Sequence, residues 1–112
     1  MGKVNLYIKS CLINEKMEYN IKGILQSNII KYQDKDSKMI INLNNKTLER
    51  IKKENKYLFD FNKNICYITT NEFKTSFPIK VIDLNIENNI FYVKYQIDNN
   101  LYEYKIKVLE EI

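Results

Sequence analysis

The sequence predicts an all-β protein, an antiparallel barrel or sandwich built as a meander of hairpins, and three observations carry that expectation. The first is alternation in the last third of the chain. Ile82, Leu84 and Ile86 alternate with Asp83, Asn85 and Glu87; Phe91, Val93, Tyr95 and Ile97 alternate with Tyr92, Lys94, Gln96 and Asp98; Tyr102, Tyr104, Ile106 and Val108 alternate with Glu103, Lys105 and Lys107. Successive strand side chains point to opposite faces, so each run has one apolar and one wet face. The second is punctuation: turn signals near positions 34, 44, 54, 62, 71, 88 and 98 mostly fall roughly 8 to 10 residues apart, the spacing of a hairpin meander. The third is composition, with nine Tyr and five Phe but only two Gly and one Pro, which favours strands over disorder.

Taken in order, strand one is expected over Lys3 to Leu12, with Val4, Leu6 and Ile8 on one face, followed by a turn at Asn14-Glu15-Lys16. Strand two runs from Met17 to Leu25, where Met17, Tyr19, Ile21 and Gly23 alternate with Glu18, Asn20 and Lys22. A glycine inside such a pattern marks a bulge, a bend or a close backbone approach. Ile29 to Gln33 is a short third strand, and Asp34-Lys35-Asp36-Ser37 turns into Lys38 to Asn42. Thr47 to Asn55 reads two ways. A helix pairs Leu48 with Ile51 and Glu49 with Lys53, whereas a strand puts Leu48 and Arg50 on one face. Tyr57, Phe59 and Phe61 then alternate, as do Ile65, Tyr67 and Thr69 with Cys66, Ile68 and Thr70. Phe73 to Glu87 is long for one strand, and Pro78, which cannot donate to a ladder, predicts a bend near Ser76 to Pro78.

A single domain, 1–112, is expected from a length of 112 residues. The net charge of +4 is mild, and Lys supplies every cation but Arg50. Ile, Lys and Asn abound together, the signature of an AT-rich genome, so counting Lys carries little weight. Cys11 and Cys66 make neither a disulfide framework nor a metal set, and two reduced thiols are expected. The N-terminus lacks an apolar signal core, Leu6 stands where myristoylation wants Ser or Thr, and no run approaches the ~20 apolar residues of a membrane span. Asn45-Lys46-Thr47 fits the glycosylation pattern but carries little in a chain expected to be cytoplasmic.

The residues from Gly23 through Tyr32-Gln33-Asp34, then Leu48-Glu49-Arg50, Phe59 to Asn62, Tyr67-Ile68-Thr69 and Leu84 to Ile97 resemble the YwiB-like family of small bacterial proteins, over most of the chain. The resemblance implies a calycin-type, lipocalin-like β-barrel of about eight to ten strands, with no assigned activity, and favours strand over helix for Thr47 to Asn55. The chain departs from the family where Pro-Tyr-Gly commonly follows the Tyr-x-Thr. Here Thr70-Asn71-Glu72 follows, without the turn-forming Pro and Gly on which a site at that turn would be built. The chain is also shorter than typical members.

The common catalytic toolkit is missing. There is no His, hence no Ser-His-Asp or Cys-His arrangement. Two glycines cannot cradle phosphates. Asp34-Lys35-Asp36 starts like a calcium loop, but Lys38 and Met39 stand where a ligand and the glycine belong. Glu110-Glu111 reads as solvated charge. No catalytic residue, cofactor or metal is therefore expected. A non-enzymatic binding protein is, one that holds a small ligand or meets a protein partner.

Arg50 is the first candidate contact. With Tyr32 or Tyr67 beside it, its guanidinium could clamp a carboxylate or phosphate; the plainer reading is a rim arginine whose stem covers apolar surface. Tyr19, Tyr95 and Tyr104 lie on apolar faces, as core aromatics or as pocket lining. The expected ligand-binding set is Arg50, Tyr32, Tyr67, Tyr95 and Tyr104. The alternative is an OB-like nucleic-acid-binding barrel, with Tyr7 and Tyr92 as stacking platforms beside Lys9 and Lys94.

Overall fold

The computed structural model describes residues 2–12, 15–87 and 89–111. Eleven antiparallel strands follow one another: β1 (Gly2–Leu12), β2 (Glu15–Gln26), β3 (Ile29–Gln33), β4 (Lys38–Asn42), β5 (Thr47–Lys52), β6 (Asn55–Asp60), β7 (Ile65–Thr69), β8 (Lys74–Pro78), β9 (Lys80–Glu87), β10 (Ile90–Ile97) and β11 (Asn100–Glu111). They form one sheet in the order β8-β7-β6-β5-β4-β3-β2-β1-β11-β10-β9. It is a meander that curls into a nearly closed barrel, with no helix among the described residues.

The turns explain the meander. Four hairpin loops begin with a side chain that accepts backbone N–H groups two and three residues on. Asp34 does so for Asp36 and Ser37, Asn42 for Asn44 and Asn45, Asp60 for Asn62 and Lys63, and Thr70 for Glu72 and Phe73. Short polar side chains make such contacts readily, which is why they punctuate the sequence. Ser27, Lys46, Lys53, Asn64 and Asp98 adopt positive φ, a conformation that only the asparagine and aspartate take at little cost. Glu15 and Lys16 belong to β2 rather than to a turn, and Asn14 lies outside the described residues.

Thr47–Lys52 is a strand, not a helix, paired with β4 and β6. The long stretch 73–87 divides at Ile79, just past the expected bend. β8 pairs with β7 and β9 with β10, so this one length of chain carries both ends of the sheet and brings them together. Pro78 ends β8, and the Ile79 N–H instead donates to the Asn64 carbonyl at 3.1 Å. The split makes the eleventh strand.

One expected alternation fails within β9. Asp83 pairs with Lys94 but Val81 pairs with Tyr95, leaving Ile82 as an extra residue in a bulge. Its side chain turns outward, 45% exposed, and Val81 packs on the core in its place. A bulge shifts the inside–outside phase by one residue, so Ile82 leaves the face shared by Leu84 and Ile86.

The core is the inner face of every strand: Val4, Leu6 and Ile8; Ile30 and Tyr32; Met39 and Ile41; Leu48; Cys66; Phe91, Val93 and Tyr95; Tyr104, Ile106 and Val108. An aromatic ladder fills one part of it. Phe59 and Phe61 pack on Tyr95, with ring centroids 5.6 and 5.4 Å away, and Phe91 packs on Phe61 at 6.1 Å. Tyr102 stacks on the far side of Tyr95 at 5.3 Å.

Gly23 sits where β2 meets its two neighbours, opposite Val4 and Tyr32. A Cβ there would lie 2.6 Å from the Lys31 carbonyl oxygen, 2.5 Å from Leu6 Cδ1 and 3.2 Å from Tyr32 Cβ. The expected close approach is therefore the reason for the glycine. Gly23→Ala should destabilise the barrel by about 1–3 kcal/mol through overpacking, read as a lower urea midpoint. An unchanged midpoint would mean that the strands part freely at this point.

Candidate functional site

β2 pairs with β1 along its whole length but with β3 only from Gly23 to Gln26. Residues 15–22 thus lack a ladder partner on their second edge, and the barrel is open beside them. A cavity of about 340 Å³ lies there. Ile8 and Ser10 line it from β1, Met17 and Tyr19 from β2, Leu48 and Arg50 from β5, and Tyr57 and Phe59 from β6. Tyr32, Met39, Tyr95 and Tyr104 complete the wall, with Asp34, Lys52 and Glu103 among the lining residues.

Each polar group is placed by its strand. Tyr32 and Tyr104 face inward from β3 and β11, 5% and 7% exposed, and share a hydroxyl–hydroxyl hydrogen bond of 2.6 Å. Tyr19 lines the same cavity and interacts with the Tyr32 hydroxyl. Burial, before any neighbouring charge, pushes the Tyr32, Tyr95 and Tyr104 hydroxyls well above the usual phenol range. Arg50 pairs across to Met39 and Tyr57. Its Nε donates to Ser37 Oγ at 3.0 Å. Ser37 is the buried polar residue of the core, 3% exposed, held by its N–H to Asp34 Oδ1 at 2.8 Å. The Arg50 charge reaches Tyr19 and Tyr95, whose hydroxyls it partly counteracts burial in raising.

Of the residues expected at a ligand site, Arg50, Tyr32, Tyr95 and Tyr104 therefore meet around one cavity. Tyr67 does not join them. It pairs with Leu58 and Ser76, faces outward and is 37% exposed. Its strand neighbours Cys66 and Ile68 take the inward positions, so Arg50 finds Tyr32 and Tyr57 beside it instead. Ser37, Asp34 and Tyr57 were not legible as site residues. The one sequence signal for the first two is the Asp-x-x-Ser turn that leads into β4. Cys66 is buried and its thiol is pushed up to about 11 by that burial, and both cysteines are free.

The outer face shows two further features. Tyr7 and Tyr92 donate to Glu18 and Glu103, at 2.5 and 2.6 Å. A shallow groove of about 600 Å³ carries Lys3, Lys22, Lys31 and Lys38 around Ile24, with no carboxylate among its lining residues.

The raised hydroxyls set a pH dependence. An acid group whose pKa is higher in the folded than in the unfolded chain stabilises the fold fully below its unfolded value, near 10 for tyrosine, and loses that contribution as pH climbs toward the folded value. Melting temperature should hold through neutral pH and fall above about pH 10. Tyr32, Tyr95 and Tyr104 should yield tyrosinate absorbance only as the barrel unfolds. Absorbance from all the tyrosines in one early step, with the fold intact, would contradict this placement.

Compared with family models, curated proteins and solved structures, the chain gives no match.

Proposed function

We propose that this chain is a non-enzymatic binding barrel that holds a small molecule in the cavity between β2 and β5. The supporting observation is the cavity itself. At about 340 Å³ it falls within the usual range for small-ligand sites, mostly apolar with a few convergent polar groups. The hydroxyls that gather there are pushed away from ionisation near neutral pH, so they suit holding a ligand by hydrogen bonds rather than acting as bases or nucleophiles. A bacterial, cytoplasmic, calycin-like protein of the YwiB-like kind is the setting in which we place it, on the strength of the residues that carry that resemblance.

The test is retention. Small molecules released by denaturing the natively purified chain, identified by mass spectrometry, should include a species missing from Ser10→Phe, whose larger side chain occupies the cavity. Circular dichroism must show Ser10→Phe to be folded. Equal release from both proteins would end this proposal.

A second reading has one observation in its favour, the four-lysine groove. It would make the outer face a docking site for nucleic acid or another acidic partner. Tyr7 and Tyr92, engaged with carboxylates, are poorly placed to stack on bases. We expect single-stranded DNA and RNA to bind no tighter than about 10⁻⁵ M near physiological salt. Tighter binding that weakens steeply with salt and in Lys22→Glu or Lys31→Glu would move the functional site to that groove.

A further inference from the structure

We propose that the cavity's ligand carries an oxyanion, a carboxylate or a phosphate monoester, on an apolar body, and that the free edge of the Arg50 guanidinium receives it. This rests on the cavity being a ligand site, and it adds the chemical class. A guanidinium offers five N–H donors in a rigid fork. Here the structure assigns one of them, Nε–H, to Ser37 Oγ at 3.0 Å. Ser37 is itself fixed, since its backbone N–H is held by Asp34 and its carbonyl accepts from the Asp34 N–H at 3.0 Å. The guanidinium is thus anchored through its inner nitrogen, on a residue that lines the cavity. No carboxylate lies within ion-pair distance of it among the described residues, where the one salt bridge joins Lys56 to Glu49.

The surroundings suit an anion with an apolar tail. The Tyr32 and Tyr104 hydroxyls form a bonded pair on the same cavity, which Tyr19 also lines. Each phenol donates once, so a pair that shares one bond retains a donor. Being neutral, they add hydrogen bonds without adding negative charge. Phe59, Tyr95, Leu48 and Met39 supply apolar wall for the rest of the molecule. Two carboxylates also line the cavity, Asp34 and Glu103; Asp34 Oδ1 is committed to the Asp36 and Ser37 N–H groups at 3.0 and 2.8 Å, and Glu103 Oε2 accepts from the Tyr92 hydroxyl at 2.6 Å. Lysine would not serve equally. An ammonium on the same strand keeps the charge but cannot be anchored by one nitrogen while presenting two others in plane.

The experiment is isothermal titration calorimetry on the full chain. Its probes are carboxylates and phosphate monoesters on phenyl, hexyl and indolyl bodies, each beside its neutral amide or alcohol. At least one oxyanion should bind and its neutral partner bind roughly tenfold or more weakly, the scale of one charge-assisted hydrogen bond. The better of the carboxylate and phosphate arms names the head group. Arg50→Lys should lose a similar factor for the oxyanion and change little for the neutral compound. Ser37→Ala, which frees the guanidinium without removing it, should weaken oxyanion binding in the same direction and guards against an Arg50 variant that does not fold. Lys56→Met, outside the cavity, should bind as the wild type does. Equal binding of oxyanion and neutral partner would overturn the anion anchor and leave the cavity as a ligand site. Failure of every probe, together with no retained molecule in the native protein, would overturn both.

Discussion

The hydrogen bond between the Tyr32 and Tyr104 hydroxyls, 2.6 Å long, is the interaction on which the open end of this barrel depends. β3 and β11 are not neighbours, because β2 and β1 lie between them in the sheet, so this bond crosses the interior. It does so at the level where β2 runs on without β3, and where backbone hydrogen bonds no longer set the distance between the walls. With Tyr19 lining the same cavity from the unpaired stretch of β2, a side-chain hydrogen bond spans what the ladder leaves apart. Buried hydroxyls without partners would be costly, and together they satisfy one another. Gly23 is part of the same arrangement, since only a residue without Cβ lets β2 lie against Tyr32 at the last paired position.

Most of the fold was legible because a strand's facing pattern has a period of two, and burial on one face repeats that period in residue type. β10 and β11 follow it as far as Val108, before the register of β11 with β1 shifts at Leu109, and every inward position from Phe91 to Val108 was readable from alternation alone. Ile82 was not, because the bulge that turns it outward depends on how β9 registers with β10, a long-range property. Thr47 to Asn55 was ambiguous for a different reason. Leu48 and Ile51 satisfy a helical spacing, and only the pairing of β5 with both β4 and β6 decides for strand. At 73–87 the proline announced the bend, but nothing local says that the two halves pair with opposite ends of the sheet.

The site was legible by parity and illegible by turn. Arg50 shares a face with Leu48, so a strand at β5 carries it inward, and Tyr32, Tyr95 and Tyr104 follow from the same rule. Tyr67 illustrates its limit. On β7 the inward residues are Cys66 and Ile68, and the outward ones Ile65, Tyr67 and Thr69 are themselves apolar enough to pass for an inner face. Ser37 is harder still. Its backbone is held by a turn that Asp34 caps, and its hydroxyl accepts from the Arg50 guanidinium, an arrangement that exists only once β3, β4 and β5 have paired.

The hollow and the polar groups around it form one feature rather than two. Where Phe59, Phe61, Phe91 and Tyr95 meet, the same barrel fills its interior with rings, so an enclosing sheet of this size does not require a cavity. The cavity is confined to the end where Arg50, Tyr19, Tyr32 and Tyr104 face inward. A guanidinium sealed in a dry core with one hydrogen bond would carry a desolvation penalty of several kcal/mol. Beside open volume it keeps access to water or to a bound group. Filling the space alone would strand the charge, and removing the charge alone would leave hydroxyls facing an unfilled space that forfeits packing contacts. Neither half makes sense as stability, and departures from consistent packing of this kind concentrate at functional sites. The inward-facing arginine on β5 is such a departure, and the physical logic of the barrel therefore points to the space in front of it.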